Sequence, residues 1–227
     1  MKSMILAALV SLATLTGCNF TITGSNEGTI VNAGPEQTRT VDAAPFDVLT
    51  ISIPGEVVYE TGAPKVVIIA NEKYMEHIVV EQNGNGRLSI KSDDKKIRSF
   101  KNTKIYITSD FLSSLTINGA VDMECKHGIR STGDFSLTLN GAGDLDIAGL
   151  EAADVTIKCN GAADLGLTGL RAATLDVTMN GAGDVKVSGE ADRADLTING
   201  AGDIDATGLE AAIIRPSVHG VGSVRTR

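Results

Sequence analysis

A polar pentapeptide that recurs about every twenty residues constrains the fold of this chain more than any other feature. Its sequence is Asn-Gly-Ala-Gly-Asp, with single-residue variants in two copies and a divergent last copy. The copies begin at Asn118, Asn140, Asn160, Asn180, Asn199 and His219. Successive first residues lie 22, 20, 20, 19 and 20 positions apart. Repetition at such a period is typical of a solenoid, in which each unit stacks on the one before it.

Apolar residues alternate within each unit, on both sides of a second glycine turn. In one unit Leu145 and Ile147 precede this turn, and Val155, Ile157 and Cys159 follow it. A period of two predicts strands with one face inward. Equivalent strands of stacked units would pair in parallel at about 4.8 Å. We therefore predict an all-β fold, a parallel β-helix or β-solenoid with coils of about 20 residues. A leucine-rich repeat, with a short helix at 149–154, is the alternative.

The remaining sequence divides into a leader, a tether and a less regular part of the same domain. Residues 18–37 are rich in Gly, Ser, Thr and Asn, as in a flexible tether. Residues 38–117 contain short strand patterns separated by Gly, Pro and Asn, with one possible helical turn at 71–78. We predict a single β-solenoid domain over 38–227, with irregular N-terminal coils up to 117 and regular repeats from 118.

The N-terminus resembles a bacterial lipoprotein signal. Lys2 precedes an uncharged apolar run, and Leu-Thr-Gly-Cys at 15–18 has the form of a lipobox. The apolar run is too short to span a bilayer. The resemblance implies a signal peptide over 1–17 and a lipid on Cys18, which would attach the protein to a membrane. Asn19 after the cysteine favours the outer membrane. An ordinary signal peptide with a chance cysteine is the alternative.

The charge and the aromatic content exclude several classes of partner. The formal net charge is −8, which argues against binding to nucleic acid and against a surface that binds anionic lipid. There is no Trp, and Tyr and Phe are few, which is unusual for a sugar-binding protein. The three histidines, His77, His127 and His219, have no metal-ligand spacing. We expect no cofactor, no metal site and no catalytic residues.

In a stacked solenoid the repeated polar residues form two columns, which we interpret as a structural turn ladder. The glycines would adopt positive φ, each Asn would pass amide hydrogen bonds to the Asn above and below, and each Asp would cap backbone NH groups of its own turn. Such amide bonds would satisfy Asn side chains buried at the corner. The Asn column is Asn118, Asn140, Asn160, Asn180 and Asn199. The Asp column is Asp122, Asp144, Asp164, Asp184 and Asp203.

Calcium binding and catalysis are the two other interpretations of these columns. A column of carboxylates repels itself, and a hard cation would relieve the repulsion. The calcium-binding nonapeptide, however, repeats every nine residues, whereas these copies lie about twenty apart. A catalytic pair needs two groups in different environments, and it should interrupt the repeat rather than constitute it.

The two cysteines beyond Cys18 have separate positions in the repeat. Cys125 and Cys159 fall at the ends of different predicted strands, and both point inward. A disulfide needs Cα atoms within about 7 Å. We predict two buried free thiols.

Two segments together resemble a known family. The segment 46–92, FDVLTISIPGEVVYETGAPKVVIIANEKYMEHIVVEQNGNGRLSIKS, is followed by repeated units such as LTLNGAGDL at 137–145. They resemble the auto-transporter adhesin head GIN-domain family, a domain of unknown function found largely in exported bacterial proteins. The resemblance covers about 38–227 and implies a β-helix or β-solenoid. It carries over no functional residues.

These observations together favour a lipid-anchored protein of the cell envelope. Its function would be non-catalytic binding, adhesion or scaffolding, with an unknown envelope or extracellular ligand and no nucleic acid. The alternative is a polysaccharide-active β-helix enzyme, with or without calcium. Loops that leave the repeat would distinguish the two, because a deep groove with convergent carboxylates favours the enzyme.

Overall fold

The computed structural model describes residues 33–94, 97 and 100–227. The predicted signal peptide, Cys18 and most of the predicted tether lie outside the described residues. Within them, seventeen strands form one hydrogen-bonded sheet that coils on itself, together with one short helix. The N-terminal elements are β1 (Glu36–Asp42), β2 (Val48–Ile51), β3 (Gly55–Thr61), β4 (Lys65–Asn71), α1 (Glu72–Met75), β5 (Ile78–Asn83), β6 (Arg87–Ser92) and β7 (Lys104–Ser109). The repeat contains β8 (Ser114–Ile117), β9 (Val121–Cys125), β10 (Ile129–Arg130), β11 (Phe135–Leu139), β12 (Ala142–Glu151), β13 (Asp154–Cys159), β14 (Ala162–Met179), β15 (Val185–Ile198), β16 (Ile204–Val218) and β17 (Val224–Arg225).

The regular coils stack in parallel, which confirms the predicted β-solenoid. In each coil we call the strand that follows the pentapeptide the first wall and the strand that precedes the next pentapeptide the last wall. On the first wall, Leu145 aligns with Leu165 of the next coil. On the last wall, Val155 aligns with Leu175. The segment proposed as a helix in the leucine-rich-repeat alternative is extended, since β12 runs to Glu151 and β13 begins at Asp154. The leucine-rich-repeat alternative is therefore wrong.

A third, short wall joins the other two, and the sequence pattern did not reveal it. Leu150 pairs with Leu170, and both side chains are buried. One coil earlier, Ile129 of β10 aligns with Leu150 and is also buried. Because each coil contributes only one apolar residue here, no alternation is visible, and the segment resembles a simple glycine turn. The core is therefore lined from three sides.

The N-terminal part continues the coils and then closes them with antiparallel strands. β2 and β3 stack in parallel on β8 and β9, and β6 and β7 stack in parallel on β2 and β3. Beyond them β4 pairs antiparallel with β7, β1 with β4, and β5 with β6. We had predicted irregular coils here and not antiparallel pairing. The predicted helical turn is α1, and β1 begins inside the segment assigned to the tether.

A small aromatic cluster lies beside these antiparallel strands. α1 packs against β4 and β1. Its buried Tyr74 lies 5.5 Å from Phe100, measured between ring centroids. Phe100 is buried as well, so this end of the core contains two packed aromatic rings.

The two cysteines of the solenoid are free and buried, as predicted. Burial raises the pKa of each thiol to about 11. Cys125 ends β9 and Cys159 ends β13, so they lie on different walls. They therefore act as small core residues.

Membrane-spanning helices are not part of the described structure: over residues 33–94, 97 and 100–227 no helix is long and apolar enough to cross a bilayer.

Candidate functional site

The Asn side chains form a continuous hydrogen-bonded ladder along one corner of the solenoid. Each Asn Nδ2 after the first donates to Oδ1 of the Asn one coil earlier. The distances are 2.8 Å for Asn140 to Asn118, 2.9 Å for Asn160 to Asn140, 2.8 Å for Asn180 to Asn160 and 2.8 Å for Asn199 to Asn180. At the N-terminal end, Asn118 Nδ2 donates to Ser52 Oγ at 3.1 Å. His219 instead lies 2.9 Å from Ser217 through Nε2.

This ladder lies on the surface and not inside the solenoid, where we had placed it. All five Asn residues are exposed. The apolar residues on either side of each pentapeptide occupy the inward positions, so the chain turns around the outside of the core. We call this surface the corner flank.

The two glycines of the pentapeptide have different functions, whereas we had assigned positive φ to both. The second glycine has positive φ, as at Gly143 with φ 132°. The first has no such φ, but it lacks room for a side chain. A Cβ on Gly161 would lie 1.6 Å from the carbonyl oxygen of Gly141 in the coil before it. The close approach of successive coils therefore selects glycine at this position.

Four of the five Asp carboxylates of the column, all except Asp144, accept hydrogen bonds from the next coil and not from their own turn. Asp164 Oδ1 accepts the backbone NH of Asp184 at 2.7 Å, and Asp184 Oδ1 accepts that of Asp203 at 2.9 Å. Asp203 Oδ1 accepts the hydroxyl and the NH of Ser223, which lowers the pKa of the Asp203 carboxyl. Among the described residues, no group of three His, Cys, Asp or Glu side chains is arranged to hold a metal ion.

The segments that follow the first wall of each coil, including the short third wall, form a second surface, which we call the cleft flank. They lie at 62–64, 109–113, 126–134, 148–153, 168–174, 188–193 and 207–212, and 168–174 is part of the continuous strand β14. Three open depressions follow one another along it, with volumes of about 400, 310 and 550 Å³.

The second and third depressions are lined mostly by glycine, alanine and charged side chains, and the second also reaches the largely buried Ile129, Leu150 and Leu170. Their charged column runs Arg130, Glu151, Arg171, Glu190 and Glu210, each in register with the next. Glu151 and Arg171 are neighbours across one coil. Glu210 is paired with Arg227 at 3.0 Å. Opposite charges largely alternate, so this part of the flank offers no concentrated charge to a ligand.

The first depression has the composition of a ligand pocket. Its volume of about 400 Å³ is within the usual range for small-ligand sites. We call it the Phe111 pocket. Phe111 is 47% exposed, and Tyr106 is the other exposed aromatic side chain among the described residues. The lining residues are Pro45, Phe46, Asp47, Pro64, Ser109, Asp110, Phe111 and Thr132.

A buried serine ties the loops of the Phe111 pocket together from within. Ser109 Oγ lies 2.7 Å from the carbonyl oxygen of Phe46 and 2.9 Å from that of Phe111, so its one hydrogen is shared between two loops. Tyr59 Oη donates to the carbonyl oxygen of Ser109 at 3.2 Å. Burial raises the pKa of Tyr59, and the nearby Cys125 and Asp110 raise it further. The phenol therefore remains a hydrogen-bond donor at neutral pH.

Further hydrogen bonds hold the same loops at the surface. The NH of Ser113 donates to the carbonyl oxygen of Asp47 at 2.7 Å, and Ser113 Oγ donates to Asp47 Oδ2 at 2.8 Å. The NH of Leu112 donates to the carbonyl oxygen of Arg130 at 2.8 Å. The pocket is consequently preformed, and a ligand would not need to order it.

The repeat pattern could not identify this pocket, because its residues come from four separate turns. One local signal was available: Phe111 is an aromatic residue in a short turn between two apolar strands, where polar residues are usual. The ladder residues singled out from the sequence lie together on the corner flank. None of them lines the Phe111 pocket.

The comparisons with known proteins agree with this architecture. The family model described as "Putative auto-transporter adhesin, head GIN domain" matches residues 45–170 and, in a second match, 136–227. A solved adhesin-like structure from Bacteroides fragilis is 23% identical, with a TM-score of 0.69 over 85% of this chain and 97% of that chain. One from Parabacteroides distasonis is 17% identical, with a TM-score of 0.71 over 85% of this chain and 82% of that chain.

At these identities the structural likeness shows the fold alone. No curated protein matches the sequence. The two family matches together extend over residues 45–227, which is most of the chain. The chain therefore belongs to the family described as auto-transporter adhesin, head GIN domain.

Proposed function

We propose that this protein is a lipid-anchored component of the cell envelope that binds a partner through the Phe111 pocket and catalyses no reaction. One observation carries the proposal. A phenyl ring that is 47% exposed lines a pocket of about 400 Å³, whose loops are joined by internal hydrogen bonds. Large exposed apolar side chains that are held rigidly are typical of binding surfaces.

Two further features support a place in the envelope. The family is described as the head of an adhesin, which is a surface-exposed binding protein. The sequence Leu-Thr-Gly-Cys at 15–18 has the form of a lipidation signal, so a lipid on Cys18 would attach the protein to a membrane, and Asn19 favours the outer membrane. The described domain begins about twenty residues after it, so the tether would separate the solenoid from the lipid.

The alternative function, a polysaccharide-active enzyme, would use the pocket differently. Asp47 and Asp110 give it two carboxylates, the number that glycoside hydrolysis requires. An acid and a base need contrasting environments, however, and here both side chains are exposed on surface loops. The arrangement supports recognition better than proton transfer.

Binding to envelope material tests the proposal. The purified full chain, in detergent, would be incubated with envelope preparations from the parent bacterium and from other bacteria, and retention would be measured. We expect the parent protein to be retained and Phe111→Ala to lose retention. Tyr106→Ala, which changes a matched exposed aromatic residue, should be retained like the parent. New reducing ends from envelope polysaccharide, lost in Asp110→Asn, would instead show the enzyme. If Phe111→Ala is retained like the parent protein, the pocket is not the binding site.

A further inference from the structure

We infer that the Phe111 pocket receives the primary ammonium group of a lysine side chain presented by a partner protein. This inference rests on the proposed binding function and specifies its chemistry. It follows from the charge of the pocket, its single aromatic ring and the hydrogen-bonding state of its two carboxylates.

The polar groups of the pocket favour a cation. Of the described residues that line it, Asp47 and Asp110 are anionic and none is cationic. The Asp110 side chain makes no hydrogen bond or ion pair with another described residue, so its carboxylate is available. The face of a phenyl ring also carries negative electrostatic potential. All three groups therefore attract positive charge, and the pocket would repel an acidic ligand.

The aromatic content distinguishes a primary ammonium from a quaternary one. Quaternary ammonium groups cannot donate hydrogen bonds, and they are bound in cages of several aromatic rings. This pocket exposes one ring, Phe111, since Phe46 is buried. A primary ammonium has three donors, which carboxylate and carbonyl oxygens can accept. The methylene groups of a lysine would pack against Phe111 and the two prolines.

An existing hydrogen bond to Asp47 disfavours the binding of a guanidinium group there. Asp47 Oδ2 already accepts the Ser113 hydroxyl at 2.8 Å. A two-pronged arginine pair needs both oxygens of one carboxylate in a single plane, so Asp47 cannot form one. Asp110 could, but a cation that contacts both carboxylates meets two separate acceptors on different loops. Two separate acceptors suit the compact, rotatable ammonium of lysine better.

Titration with capped peptides tests this inference. The probe is a short peptide with one lysine, acetylated at its N-terminus and amidated at its C-terminus. Comparison peptides carry norleucine, Nε-acetyl-lysine, Nε-trimethyl-lysine or arginine at that position. Binding to the full chain in detergent would be measured by calorimetry at low and high salt, because salt weakens a charge-dependent contact.

We expect the lysine peptide to bind at least about tenfold more tightly than the four comparison peptides. Asp110→Asn and Phe111→Ala should each weaken it by about tenfold or more. The controls Asp134→Asn and Tyr106→Ala should not, since both residues are exposed and lie outside the pocket. Unchanged melting temperatures would show that all four variants fold.

Several outcomes would overturn the inference. Equal binding of the norleucine peptide would show an apolar site. Equal or tighter binding of the arginine or trimethyl-lysine peptide would show a general cation site. An equal loss in Asp134→Asn would show an effect of net charge only. If no peptide binds but envelope retention still depends on Phe111, the lysine inference fails and the proposed function stands. If retention also fails, both are wrong.

Discussion

Asn160 Nδ2 donates a hydrogen bond to Asn140 Oδ1 across one coil, at 2.9 Å. Asn160 Oδ1 in turn accepts a hydrogen bond from Asn180 at 2.8 Å. Asn199 donates to Asn180 but accepts no such bond from the coil that follows, because His219 is bonded to Ser217. A side chain in the middle of the ladder therefore has one more partner than the one at its end.

Asn160→Ala should destabilise the fold more than Asn199→Ala. The difference should equal one exposed hydrogen bond, about 0.5–1 kcal/mol in the free energy of unfolding. Asn199→Ala is the matched control, because it makes the same change at the end of the ladder. Urea denaturation of the two variants measures the difference. Midpoints of both variants that equal the parent's would show that the ladder contributes no stability and that water replaces its bonds.

Gly161→Ala should be far more disruptive. The new Cβ would lie 1.6 Å from the Gly141 carbonyl oxygen, so the two coils must separate. Overpacking of this kind costs about 1–3 kcal/mol or more. Gly133→Ala provides the control, because nothing lies within 4 Å of its Cβ position. A thermal melt in which both variants match the parent protein would contradict the close stacking of the glycines.

Cys125 and Cys159 should resist thiol reagents in the folded protein. Burial raises both thiol pKa values to about 11, and the reactive species is the thiolate. At pH 8 we expect labelling at least about 100-fold slower than in denaturant, followed by mass spectrometry of the two peptides. Rapid labelling of either cysteine before unfolding would show that its wall opens.

The same thiols give stability a dependence on alkaline pH. Their folded pKa lies above the ordinary value of 9.0, so the unfolded chain loses these protons first. The contribution is fully present below about pH 9 and is lost as pH rises through about 11. Cys159→Ala should reduce this alkaline loss relative to the parent protein. An unchanged pH profile of the urea midpoint would mean that the thiol does not contribute.

Cys18→Ser should move the protein from the membrane fraction to the soluble fraction. Within the proposed function, the lipid on this cysteine is the only attachment to the bilayer. Fractionation after a high-salt wash, with immunoblotting, measures the change. Cys159→Ser is the control, because that thiol is buried in the core. A Cys18→Ser protein that still sediments with membranes would disprove lipid anchoring.

Sequence periodicity predicted the regular coils because each strand repeats its own pattern of inward residues. Leu145 and Leu165 occupy the same position in successive units and are stacked in the structure. Antiparallel pairing at the N-terminus was not predicted. β1 and β4 contain no repeated unit, so nothing local indicates that Thr38 lies opposite Ile69.

The sequence periodicity could not predict the candidate site, for the same reason. A repeat identifies the columns of Asn and Asp but not the side of the coil on which they lie. The Phe111 pocket depends on Asp47 and Thr132, which are distant in sequence and meet through hydrogen bonds between loops. Such contacts have no sequence pattern until the coils are stacked.

Our central claim is that the corner flank holds the fold while the cleft flank binds the partner. Retention of Asn160→Ala and Phe111→Ala on envelope preparations, measured side by side well below either melting temperature, tests it most directly. We predict that Asn160→Ala, although less stable, is retained like the parent protein. Phe111→Ala should have the parent's stability and lose retention. Loss of retention in Asn160→Ala with normal retention in Phe111→Ala would contradict the account.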